Sequence, residues 1–421
     1  MSDIQEQLAA LRKKVARIDR KYADPARVAP PAPPPPSRYR PARYFVEEWL
    51  SGEEVETAHG KHFETEKLYD RYKRHGSLDI GDLAELPPDL FDAIANGSVP
   101  PCAPDRWAFL DTETTGLAGG SGTYAFLIGV GRITPDGFRV RQFFMRDHGE
   151  EPSLLTALAD HLAQFDVLIT YNGKTYDQPL LETRYRMSRF RPPFDRMPHL
   201  DLLFGARRLW KLRFDSCRLV DLENQILGVE RQGDLPGEMI PYVYFEFLRT
   251  GEAFKLVPIL HHNAMDILTL ACLTGVVPWA FRSPDKAPLT HGAEMVGLAR
   301  WFRQAEQYEQ SIELFRRAIG RGLKDELLFR TMWDLALLEK KCGRDDAAVA
   351  ALTDLAACRN PFRIAALEEL AKHYEHREKN YTMALEMTRA ALEYEDTPEL
   401  RKREARLDKR TSARARNRRL L

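Results

Sequence analysis

Apolar residues recur along this chain in distinct rhythms, and each rhythm predicts a different kind of element. Between residues 3 and 22, Ile4, Leu8, Leu11, Val15 and Ile18 fall at helical spacing, which predicts a short amphipathic helix over 1–22. Pro25 through Pro41, with the run Pro33 to Pro36, suits neither helix nor central strand, so 23–44 is expected to be a polyproline spacer. Residues 45–103 are mixed, interrupted by Pro87-Pro88 and Gly97, and predict no more than an accessory segment. From 104 to 282 the rhythm alternates between strand and helix. The run Trp107 to Leu110 enters Asp111 as a strand, Tyr124 to Ile133 gives a second, and after Pro135-Asp136-Gly137 the third is Phe138 to Met145. That is an antiparallel meander. A helix over Ser153 to Gln164 and a buried strand over Asp166 to Tyr171 follow, and a further strand ends at Asp201. Helices are expected from Asp177, over Leu219 to Leu227, after the turn Asp234-Leu-Pro-Gly237, and over His261 to Leu273.

A different period governs 290–395. Leu298-Ala299, Leu335-Ala336 and Leu370-Ala371 recur at intervals of about 37 and 35 residues, each followed 12 or 13 later by a small residue, Ser311, Ala348 or Ala384. Helical hairpins need small residues where their two helices cross, so three degenerate tetratricopeptide-like repeats are expected. Such arrays bind a peptide or a protein partner, or simply shield their neighbour. Residues 396–421 form a basic tail too poor in apolar residues to fold alone.

Composition narrows the class. Formal net charge is zero and the five cysteines are scattered, with no pair at metal or disulfide-framework spacing, which points to reduced thiols in a cytoplasm. No segment reads as a leader or as the roughly 18 apolar residues that would span a bilayer, so no membrane partner is expected.

The chemistry lies in three acidic motifs. Asp111 and Glu113, in Asp111-Thr-Glu-Thr-Thr-Gly116, share one face of a strand end because strand side chains alternate. Asp177 closes Asn172-Gly-Lys-Thr-Tyr-Asp177, and Asp266 lies in His261-His-Asn-Ala-Met-Asp266. Paired carboxylates repel without a counter-charge, so a hard divalent cation is expected among them. The meander followed by alternating helices and strands has the element order of an α/β RNase H-like fold, here joined to an all-α repeat domain. The chain resembles the DEDD (DnaQ-like) 3′–5′ exonuclease superfamily, and more closely its YprB-type RNase H-like family, through Leu110 to Tyr124, Tyr171 to Asp177 and Arg231-Gln-Gly-Asp-Leu-Pro-Gly237. The resemblance implies two Mg²⁺ or Mn²⁺ ions held by Asp111, Glu113, Asp177 and Asp266, and a base at His261 or His262. At 100° per residue His262 lies about 40° from Asp266 and His261 about 140° away, but a helix starting later would free both. Thr112, Gly116, Leu117, Asn172 and Lys174 are the expected substrate contacts, with Leu117 wedged against a terminal base by resemblance. Asp201 reads as a helix cap or as support for the site. The reading is a metal-dependent exonuclease on DNA or RNA; the alternative is a non-catalytic scaffold that binds nucleic acid or protein.

Overall fold

A computed structural model describes residues 46–95, 97–116, 122–287 and 289–419, with side chains to residue 412. The expected N-terminal helix, the polyproline spacer and Leu117 lie outside the described residues. In chain order the strands are β1 (Glu53–Thr57), β2 (Gly60–Asp70), β3 (Arg74–His75), β4 (Leu78–Asp79), β5 (Trp107–Thr114), β6 (Ala125–Thr134), β7 (Gly137–Phe144), β8 (Val167–Thr170) and β9 (His199–Asp201). Seven of them form one sheet in the order β1-β2-β7-β6-β5-β8-β9, and β3 with β4 makes a separate two-stranded ribbon. β5, β6 and β7 are the antiparallel meander, turning at Gly137, whose φ of 139° no L side chain adopts comfortably. β8 runs parallel to β5, and β9 parallel to β8.

The accessory segment has a role that its mixed pattern did not reveal. β1 and β2 form a hairpin that pairs antiparallel with β7 and widens the sheet by two strands. Only four consecutive residues of β2, His62 to Thr65, are buried, so its pattern lacks the alternation that marks a strand.

The helices are α1 (Glu151–Leu162), α2 (Asp177–Met187), α3 (Leu202–Trp210), α4 (Ile240–Thr250) and α5 (Val257–Arg282), together with short turns such as Leu219–Leu222, which widens over Glu223–Leu227 and ends at Gly228. Strand alternation sends Ala108 and Leu110 into one core with α1, α2 and α4, whereas Trp107 and Phe109 face a second core built on α3 and α5. Pro258 starts α5 without loss, because the first helical N–H has no partner to give up. The expectation that no segment matches a membrane span needs correcting: Ala253–Arg282 is long and apolar enough to cross a bilayer, but 72% of its most apolar window is buried inside the fold. Its apolar girth is that of a central core helix.

α5 approaches the meander closely because β6 carries Gly129 and Gly131. A Cβ at Gly129 would run into Asn263 Oδ1 and Ile267 Cδ1, and one at Gly131 into Ile267 and Phe138.

Seven further helices follow: α6 (Gly292–Gln304), α7 (Tyr308–Arg321), α8 (Asp325–Lys341), α9 (Asp345–Ala357), α10 (Arg363–His376), α11 (Tyr381–Leu392) and α12 (Pro398–Arg419). The first six form three hairpins at the expected places. Ser311, Ala348 and Ala384 are all buried at the crossings, and Ser311 donates to the Ala299 carbonyl at 2.8 Å. The array is seated on α3. Gly297 meets the Arg208 carbonyl with no room for a Cβ, the Arg208 guanidinium lies 4.0 Å over the Trp301 ring, and Glu294 accepts from Trp210 Nε1 at 3.2 Å and Arg213 Nη1 at 2.6 Å. The basic segment does not stand apart as a tail. As α12 it buries Leu400 and Leu407 against the array, and Arg406 forks onto Glu375 at 2.9 and 2.7 Å.

Gly129→Ala is expected to destabilise the fold by about 1–3 kcal/mol through overpacking between β6 and α5. Chemical denaturation of the full chain measures it; an unchanged midpoint would mean that α5 yields freely.

Candidate active site

The four acidic residues come together where β5 ends. Asp111 and Glu113 project from β5 on the face covered by α5, and a register shift between Glu113 and Thr114 bends the strand immediately beyond them. Asp177 opens α2, placed by a turn in which Asn172 takes φ 70°, a conformation Asn tolerates better than most residues. Asp201 caps α3 and fixes that turn, accepting from Leu203 N at 3.1 Å, Asn172 N at 2.8 Å and Lys174 N at 3.1 Å. The capping role and the supporting role expected for Asp201 are thus filled by one carboxylate. Asp266 arrives from the middle of α5.

Each carboxylate is held differently. Asp111 accepts from Asn263 Nδ2 at 2.9 Å, and Asn263 is itself fixed by Gln142 Nε2 at 2.8 Å. Asp177 accepts from the Thr112 hydroxyl. Asp266 is paired at 2.6 Å with Nη2 of Arg231, whose Nε contacts Glu223 at 2.5 Å. Glu113 receives no hydrogen bond among the described residues. Burial pushes the Asp111 carboxyl well above its usual range, and the charges of Asp266 and Asp177 push it further; Glu113 is raised by burial and then by Asp111 and Asp266. Burial raises Asp177 to about 6 despite the Thr112 bond, and it raises Asp266 against the opposing pull of Arg231 and His262.

Helix α5 is continuous through the histidine pair, so the angular argument applies and separates them. His262 Nδ1 lies 2.9 Å from both oxygens of Asp234, and its Nε2 lies 3.6 Å from Asp266 Oδ2. His261 is exposed, and burial of part of its ring together with Lys67 holds its imidazole below the usual range. Only His262 reaches the acids.

The expected substrate contacts divide as well. Asn172 and Lys174 are exposed beside Asp177. Thr112 is buried and committed to Asp177, on the sheet face opposite Asp111, so alternation turns it away from an open surface. The Gly116 carbonyl accepts from Tyr176 OH at 2.5 Å and from the Thr114 hydroxyl at 2.9 Å, which ties the loop to the Asp177 turn.

Four contributors were not anticipated: Asn263, Arg231, Glu223, and Asp234 as the partner of His262. Asn263 was open to reading, since it stands three residues before Asp266 on the same helix. Arg231 comes from irregular backbone with no period to betray it, and Glu223, though inside the helix expected over Leu219 to Leu227, has partners that spacing does not reveal. Glu223 is pushed up by burial but held below its usual range by His75 at 3.1 Å, Thr269 at 2.7 Å and Arg231.

Residues 108–277 match the family model RNase_H_2 of the RNase_H superfamily. Over 315 residues the chain is 37% identical to a Bacillus subtilis (strain 168) protein named "Uncharacterized protein YprB", an alignment covering 72% of this chain and 75% of that one. The chain belongs to the YprB family. Its YprB-type domain is RNase H-like and of nuclease type, with a C-terminal all-helical region.

The donor set fits a hard divalent cation, since it is all oxygen, mutually repulsive, and includes in Glu113 a carboxylate without a partner. As they stand the other acids are turned to protein partners, and among the described residues no three His, Cys, Asp or Glu side chains form a ready ligand shell.

A raised carboxyl makes the fold hold protons that the unfolded chain has released. Stability from this cluster is therefore present near pH 4 and lost as pH rises through about 6. In metal-free buffer, Asp111→Asn is expected to melt about 2–4 °C above the parent at pH 7, on the order of 1 kcal/mol, with the gap closing near pH 4. Added Mn²⁺ is expected to raise the parent's midpoint more than the variant's. A gap independent of pH would contradict the repulsion argument.

Proposed function

We propose that this YprB-family chain is a divalent-metal-dependent 3′–5′ exonuclease of DNA or RNA. The observation that carries the reading is the convergence of Asp111, Glu113, Asp177 and Asp266 at one strand end, with His262 aimed at them. Asp111, Glu113 and Asp266 are the residues to hold one cation, and Asp111 with Asp177 a second. When bound, two such ions would stabilise the attacking and leaving oxygens of an in-line displacement at phosphorus.

The chain's own residues supply the rest. Asp234 fixes the ring of His262 through Nδ1, which leaves Nε2 to take the proton from the attacking water. Asn263 orients Asp111, and the Thr112 hydroxyl orients Asp177. Arg231 pairs with Asp266 and holds it in place before a cation arrives. Asn172 and Lys174 flank the acids as contacts to the phosphodiester, and the helical array is the docking element for a partner protein. The free thiols among the described residues fit a reducing, cytoplasmic setting.

One observation favours the non-catalytic alternative. Arg231 already neutralises Asp266, so the domain could remain folded as a metal-free binding module. Hydrolysis of 3′-labelled single- and double-stranded DNA and RNA by the purified chain with Mg²⁺ or Mn²⁺ decides between the two. Asp111→Asn is expected to abolish hydrolysis, and His262→Ala to lower it about 10²–10⁴-fold. Equal trace activity in parent and Asp111→Asn would leave the scaffold.

A further inference from the structure

Two cavities adjoin α3 and share Lys211. The first, about 570 Å³, has Tyr171, Asn172, Arg207, Lys211 and Arg218 in its wall, with Asp215 opposite in charge. The second, about 600 Å³, lies among the end of α3, the start of α6 and α8, and its wall carries Lys211, Arg213, Arg300, Lys324 and Arg330 against Glu326. Seven cations thus line the pair against two acids, in a chain whose formal net charge is zero. Four of them have ion-pair partners just outside the cavities: Arg218 on Asp221 at 2.9 Å, Arg213 on Glu294 at 2.6 Å, and Arg300 and Arg330 on Asp334 at 3.4 and 3.6 Å. Among the described residues Arg207, Lys211 and Lys324 pair with no carboxylate.

The first cavity reaches the turn that leads to the acidic site. Asn172 in its wall belongs to the turn that ends in Asp177. Along α3, Phe204, Arg207 and Lys211 are spaced three and four apart, so they share one face, and all three are exposed, the Phe204 ring at 46%. A bare aromatic ring next to unpaired cations is the pairing that binds single-stranded nucleic acid, with bases stacking on the ring and phosphates following the charge. An acidic peptide would answer the charge but not the ring.

We propose that these cavities form one track for a single nucleic-acid strand, running from the Asn172 turn over the Phe204-Arg207-Lys211 face of α3 into the cleft between α3, α6 and α8. On the exonuclease reading, on which this direction rests, the track carries the strand 5′ of the residue being removed. Binding itself does not require hydrolysis.

The test uses the full chain in EDTA, with fluorescence anisotropy of 5′-labelled oligothymidylates of 6, 12 and 20 nucleotides across a salt series. R207E/K211E/K324E is expected to weaken binding of the 20-mer at least tenfold and to flatten the salt slope by about 2, while the charge-matched R359E/K402E/K409E changes it less than threefold. Matching circular dichroism melts establish that both variants fold. Unchanged binding by the first variant, an equal loss in the second, or competition by polyglutamate as strong as by oligonucleotide would each overturn the track. The two proposals fail separately. Loss of binding in R207E/K211E/K324E without any Asp111-dependent hydrolysis upholds the track and removes the nuclease. Asp111-dependent hydrolysis with that variant binding as the parent does the reverse.

Discussion

The close seating of α5 on β6 is the contact on which the candidate site depends. Two of the four acids come from β5, and the one that must meet them comes from α5, so the gap between helix and sheet sets whether they form a site at all. Gly129 lets Asn263 drop into the sheet surface, where it bonds both Asp111 and Gln142. A hydrogen bond to a buried carboxylate is worth more than one between neutral groups, and it fixes the helix's rotation as well as its distance. Asp266 and His262 inherit their positions from that one residue. The same seating buries Ile267 against Phe109 and Phe138, so apolar packing and polar positioning pull α5 in the same direction.

Gathering carboxylates in one place works against folding, and the protein contains the opposing charges. Arg231 is the main one, bridging Glu223, Asp234 and Asp266 at 2.5, 3.3 and 2.6 Å. Buried guanidinium groups are tolerated when their donors are taken up, and here three acids share them. His75 and Thr269 extend the network to Glu223, and His262 extends it to Asp234. The consequence is a graded field. Asp266 has the Arg231 guanidinium in direct contact, whereas Glu113 and Asp111 have no cationic side chain paired with them among the described residues.

Much of this was legible in the sequence, because the physics that betrays an element is local. The meander, the strand into Asp111 and the helix through Asp266 were visible as runs with clear periods. So were the crossing residues Ser311, Ala348 and Ala384, whose smallness recurs with the repeat. The β1–β2 hairpin was not visible, since its strands are half exposed and charged, and only pairing with β7 defines them. Asp111, Glu113 and Asp177 could be singled out because they sit at element ends with recognisable flanks, and Asp266 through the histidine pair before it. Arg231 and Glu223 could not, because each acquires its role from partners such as His75, Thr269 and Asp266 far away in sequence, even though Glu223 lies in the helix expected over Leu219 to Leu227. The two histidines could not be told apart without the start of α5, and a start at Val257 puts His262, not His261, on the Asp266 side of the helix. The basic segment, expected to be too poor in apolar residues to fold alone, takes helical form against the array, where Leu400 and Leu407, seven residues apart, are buried.

The meeting of Gly297 with the Arg208 carbonyl has a mechanical meaning. With backbone against backbone and a guanidinium laid over Trp301, α3 and α6 have no soft layer between them to act as a pivot. The first hairpin of the helical array is therefore held at a set distance and angle from α3, and through α3 from the sheet.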